Sequence, residues 1–154
     1  FKADGDAEFN DLTLRGGIVG NDALSNPVVP QSVWKGTTAN FGLNTGWTAL
    51  TSQTQTAPPE ANSVIVHGFV RLVAENTTAS VDYLYSDFDI GGQSCGGFST
   101  KVDAGDVGTS FCSFARVLTG VSSVTLTAYG STGSASWAST DNVCQISASV
   151  LWFR

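Results

Sequence analysis

Apolar and polar residues alternate along most of this chain with a period of two, the pattern of strands that turn one face to a core. In residues 63–73, Val64, Val66, Val70 and Leu72 share one face, while Ile65, His67, Phe69, Arg71 and Val73 share the other. One face is wholly apolar and the other half so, which predicts a strand in the middle of a sheet or at a subunit contact. In residues 121–129, Val124, Leu126 and Ala128 point inward and Thr125, Thr127 and Tyr129 outward, as in a half-buried antiparallel strand. Residues 143–153 gather Ile146, Ala148, Val150 and Trp152 on one face, and a strand this apolar requires pairing inside a sheet. Further strand-like runs cover residues 8–14, 31–36, 47–53, 79–88, 98–102 and 110–118, and no stretch reads as a long helix.

Between these runs lie Gly- and Ser-rich connections, most clearly residues 91–97 and 129–136, whose chemistry suits turns. Seven or more short strands joined in this way predict an all-β fold, an antiparallel β-sandwich of jelly-roll type. The first thirty residues read differently. Asp4-Gly5-Asp6 supplies a turn, and Ala7, Phe9, Leu12 and Leu14 then make a strand that has no core of its own. Such a strand leans on a neighbouring chain or an upstream domain. Gly16, Gly17, Gly20, Pro27 and Pro30 make the following segment a linker, giving an N-terminal strand arm and linker (1–30) and a β-sandwich domain (31–154).

The arm carries a resemblance. Ala3-Asp4-Gly5-Asp6-Ala7-Glu8-Phe9-Asn10-Asp11-Leu12-Thr13-Leu14-Arg15-Gly16 resembles a short motif in fibre and host-specificity proteins of tailed bacteriophages, where it precedes the C-terminal tip. From Trp47 through Ala57-Pro-Pro-Glu-Ala-Asn-Ser-Val-Ile-Val-His-Gly68 to the last strand, the chain is similar in pattern to β-sandwich modules of phage virion proteins. The resemblance implies a non-enzymatic virion module, a tail-fibre or receptor-binding tip. It also implies a homotrimer that joins other tail proteins, attaches to a bacterial cell-surface glycan or outer-membrane protein, and is assembled in the host cytoplasm. Two alternatives stand beside it: a structural virion protein without a host ligand, and a secreted carbohydrate-binding module or glycosidase fragment.

Composition narrows the partners. Only 13% of the 154 residues are charged against about 25% in ordinary soluble domains, so Ser, Thr, Asn and Gly, or another subunit, must cover the surface. The net charge is −6 and the seven basic residues are scattered, which leaves no stripe for phosphates and argues against nucleic acid. No apolar run approaches the roughly 20 residues of a membrane-spanning helix, so membrane insertion is not expected. A chain beginning at Phe1 is read as a cut or processed end. Cys95, Cys112 and Cys144 leave at least one thiol unpaired. A Cys95–Cys112 bridge across a hairpin and three free buried thiols are both open at this stage.

Candidate chemistry is sparse. His67 is the one histidine and has no second His or nucleophile elbow near it, so it reads as a structural or interface residue. Asp87 and Asp89 stand on the same side of a strand end, a spacing that could serve calcium or a glycosidase pair, or simply keep an edge soluble. No catalytic group, metal site or cofactor is expected. The aromatics suggest binding instead. Trp152 and Trp47 are expected in the core, whereas Tyr83, Tyr85 and Trp137 are expected to show. Trp137 lies in a Ser/Thr-rich loop, where an indole flanked by Asp141 and Asn142 could stack on a sugar while its neighbours bond the hydroxyls. The alternative is an indole folded back onto its own sandwich or a neighbouring subunit. The expected ligand-binding set is therefore Trp137, Tyr83, Tyr85, Asp141 and Asn142.

Overall fold

The structure is a computed structural model and describes residues 32–154. The expected arm strand at residues 8–14 and its linker lie outside the described residues. Nine strands are present among those described: β1 (Ser32–Ala39), β2 (Thr48–Thr56), β3 (Ser63–Glu75), β4 (Asp82–Ile90), β5 (Gln93–Ser94), β6 (Phe98–Val102), β7 (Val107–Thr119), β8 (Ser123–Thr132) and β9 (Val143–Phe153). They make two antiparallel sheets. One has the order β1-β9-β3-β7, and the other the order β2-β8-β4, with β5 and β6 both pairing along the far edge of β4. Counting β5 and β6 as one interrupted strand, consecutive strands change sheet everywhere except at the β4–β5 hairpin, which is the strand order of a jelly roll.

The alternation that predicts the strands also predicts their inner faces. Val64, Val66, Val70 and Leu72 of β3 are fully buried, as are Leu84, Phe88 and Ile90 of β4. Val124, Leu126 and Ala128 of β8 and Ile146, Ala148, Val150 and Trp152 of β9 complete the core between the sheets. Each such Val, Leu, Ile or Phe side chain contributes about 1.5–3 kcal/mol by leaving water. β3 pairs with β7 on one side and β9 on the other, so its half-apolar second face belongs to a central strand as expected.

Local chemistry sets the boundaries. Gly91 and Gly92, with φ of +59° and +83°, form the two-residue turn of the β4–β5 hairpin, a geometry that costs a side chain bearing residue but not glycine. β4 begins at Asp82 rather than at residue 79 because Asn76 organises the preceding turn. Its Oδ1 accepts from Thr78 N and Oγ1, and its Nδ2 donates to Ser80 O and Val102 O. Asn76 is completely buried, so the Asn76-Thr-Thr78 sequon is closed to glycosylation in the folded chain. Hydroxyl pairs take the place of charge on the β2–β8 surface: Ser52 with Thr127 at 2.9 Å and Thr54 with Thr125 at 2.8 Å.

The two outer faces differ. That of β1-β9-β3-β7 exposes Val33, Ile65, Phe69, Phe111 and Val117, with Ile65 in register between Val117 and Leu151. That of the second sheet carries aromatic and acidic side chains.

Candidate ligand-binding surface

Along β4, Leu84, Ser86, Phe88 and Ile90 point into the core, so Tyr83, Tyr85, Asp87 and Asp89 point out. Cross-strand pairing sets their neighbours: Tyr83 lies opposite Lys101, Tyr85 opposite Ser99 and Ser131, and Asp87 opposite Tyr129. Trp47, at the entry to β2, completes the surface. Its indole meets Tyr85 edge-on at 6.3 Å between ring centroids, and Tyr85 stands 6.2 Å from Tyr83. A side chain at position 97 would crowd that indole, because a Cβ on Gly97 would sit 3.3 Å from Trp47 Cζ2 and Cη2. Trp47 remains 52% exposed and Tyr83 45%, with Tyr85 half-buried between them, so the row shows aromatic surface to solvent instead of filling the core.

Two of the expected roles are reversed by packing. Trp47, expected in the core, is exposed. Trp137, expected on the rim, is 2% exposed. It forms a bridge with Leu43, exchanging backbone hydrogen bonds at 2.8 and 3.0 Å, and its Nε1 donates to Asp82 Oδ2 at 3.1 Å. Asp82 is itself buried and also accepts from the backbone N–H groups of Tyr83, Ser134 and Ala135. Burial opposes the charge, yet the bonds from Tyr83, Trp137, Ser134 and Ala135 outweigh it and hold the Asp82 carboxyl below the usual range. A buried indole cannot stack on a sugar. Asn142 is buried for a similar reason: its Nδ2 donates to Phe41 O and Ala138 O, and its Oδ1 accepts from Glu75 N and Thr140 Oγ1, clipping three segments together. Asp141 is exposed and lines a shallow dimple with Val73, Glu75, Val107 and Thr140. Of the five expected residues, the structure therefore brings Tyr83 and Tyr85 together, adds Trp47 and withdraws Trp137 and Asn142 from solvent.

Asp87 and Asp89 are tied to the local chain. Asp87 accepts from Phe88 N at 2.7 Å, from the Ser94 hydroxyl and from Cys95 Sγ at 3.0 Å, and Asp89 accepts from Gly92 N at 2.8 Å. Burial raises the Asp87 carboxyl, but the bonds from Cys95, Ser94, Phe88 and Gly97 prevail and lower it. Its oxygens are thus taken up by donors of its own hairpin and the loop that follows.

No protein-family model matches the chain, and no curated protein matches it. Among solved structures it is similar to a chain in the structure of infectious bursal disease virus Gx strain, at 15% identity and a TM-score of 0.39. Similarity extends to a chain of the T13 IBDV viral particle, at 13% and 0.38, and to one of the Gt strain, at 12% and 0.31. Each match covers 95% of this chain and 42%, 39% and 42% of the other, so the chain spans about two fifths of the length of the structures it matches. These likenesses are loose, and the fold stands on its own strand order.

Proposed function

We propose that this chain is a non-enzymatic module of a tailed-phage virion, a tail-fibre or receptor-binding tip that holds a bacterial surface polysaccharide on Trp47, Tyr85 and Tyr83. The observation that carries the reading is the row of three rings, two exposed and Tyr85 half-buried between them, 6.2 and 6.3 Å apart, on a sheet face otherwise lined by hydroxyls, carboxylates and Lys101. Ring faces stack on the apolar side of a sugar, and the polar neighbours bond its hydroxyls. The motif at residues 3–16 supports placement in the tail, with assembly in the bacterial cytoplasm.

The opposite face favours a second role alongside the first, packing against other virion subunits. Its strands have 8, 11, 13 and 13 residues, and at about 16 Å² of sheet plane per residue they span about 700 Å². A standard interface takes about 800 Å² from each partner. A homotrimer joined through this face would strengthen weak attachment by presenting three ligand rows at once.

The test uses fluorescently labelled full-length chain on candidate host cells, before and after periodate oxidation of their glycans. Periodate-sensitive binding, lost at least tenfold in Trp47→Ala and Tyr85→Ala while both variants keep the wild-type melting temperature within a few degrees, is the expected result. Binding that both variants retain would remove the aromatic row from the account. A monomer by light scattering at micromolar concentration would remove the trimer.

A further inference from the structure

Cys112 enters the core from β7, opposite Val70, and is 3% exposed. Cys95 arrives from the other sheet, in the loop between β5 and β6, where its N–H donates to Phe88 O at 3.0 Å. Two sets of bonds hold that hairpin against β7. Ser86 of β4 and Ser110 of β7 join hydroxyls at 2.7 Å, and Arg116 of β7 donates to Ile90 O and Gly91 O. In this corner Cys112, two residues along β7 from Ser110, lies near enough to Cys95 and Ser86 to feel both electrostatically. Cys95 is half-buried and its Sγ donates to Asp87 Oδ1. The third thiol, Cys144, is fully buried on β9.

We propose that Cys95 and Cys112 are an oxidisable pair that closes into a disulfide in oxidising surroundings, fastening the β4–β5 edge of one sheet to β7 of the other. The oxidant is a small disulfide of the glutathione class. Cys95, the more accessible thiol, gives up its proton toward Asp87 and water, and its sulfur attacks the oxidant. A mixed disulfide forms, the oxidant's S–S bond breaks, and the first small thiolate leaves and takes up a proton. Cys112 then loses its proton and attacks Cys95 Sγ, which expels the second small thiolate, and that too is protonated. Two protein thiols and one small disulfide become one protein disulfide and two small thiols. Burial, reinforced by Cys95, raises the Cys112 thiol, which makes Cys112 the resolving group and its attack the slow step. The pair is independent of the ligand proposed for the aromatic row.

The experiment incubates the full chain with oxidised glutathione, then denatures it, alkylates the remaining thiols and maps peptides by mass. The expected product has lost two hydrogens, carries alkyl only on Cys144, contains a Cys95–Cys112 linked peptide, and melts roughly 10 °C higher than the reduced chain. Cys144→Ser should cross-link as the wild type does. A glutathione adduct persisting on Cys95 with Cys112 still alkylated, three alkylated cysteines after prolonged exposure, or a bridge involving Cys144 would each overturn the proposal, and all are read on the wild-type chain.

Discussion

Asp82→Asn isolates the contact that pulls Trp137 inside. Asp82 Oδ1 accepts from Tyr83 N at 2.8 Å and Ser134 N at 2.9 Å, and Oδ2 from Trp137 Nε1 at 3.1 Å and Ala135 N at 3.3 Å. An amide of the same shape accepts at one position only, so two donors face an NH₂ group. A buried donor stripped of its acceptor costs about 1–3 kcal/mol, and with one of the four bonds long the variant should lose about 3 kcal/mol. For a chain of this size that lowers the melting temperature by roughly 10 °C. In a Trp137→Phe background, which lacks one of the donors, the same substitution should cost about 1 kcal/mol less. Acidity gives a second readout. The folded carboxyl lies below its unfolded value, so folding favours the ionised form, and its stabilisation is complete above about pH 4 and lost as the pH falls through the folded value. Asp87, also lowered, acts in the same direction. Wild-type melting temperature should therefore drop steeply below about pH 4, and Asp82→Asn should flatten that drop. Differential scanning calorimetry from pH 2 to pH 7 measures both effects. A loss under about 2 °C at neutral pH, or an equal cost with and without the indole, would refute the reasoning.

Three further substitutions probe the core. A Cβ on Gly68 would stand 2.8 Å from Ala148 Cβ and 2.9 Å from both Phe88 Cε1 and Ser147 O, so Gly68→Ala should cost about 1–3 kcal/mol in urea unfolding; a more stable variant would contradict this packing. Ser86→Ala and Ser110→Ala, singly and together, should show a coupling of about 1 kcal/mol for the hydroxyl pair that crosses between sheets, and additive costs would mean the contact is absent in solution.

Period-two patterning was enough to place most of the fold. β6 and β9 match the expected runs residue for residue, and the inner faces of β3, β8 and β9 follow directly from alternation. β5 was not legible, because a two-residue strand contributes too little pattern to separate it from its glycine-rich flanks. The site was half legible. Tyr83 and Tyr85 alternate visibly with Leu84 and Ser86, which marks them as outward. Trp137 and Trp47 deceived for one reason: the side chains that decide their burial are remote in sequence. Trp137 is sunk by Asp82, fifty-five positions earlier, while Trp47 is held out over Gly97 and Tyr85. A Ser-rich loop around one indole and an adjoining strand beside the other record neither contact.

The strand order also dictates when this sandwich can close. Among the described strands, β1 pairs only with β9, across separations that run from Ala39 with Val143 to Ser32 with Val150. β9 is also the strand that joins β1 to β3. As the chain leaves the ribosome, the first sheet therefore waits for residues 143–153, and until then β1 and one edge of β3 have no partner. Pairings this distant make folding slow and leave unpaired edges open to other chains in the meantime. Synthesis of this protein is thus expected to depend on chaperone shelter, or on low local concentration, for the interval between the making of β1 and the making of β9.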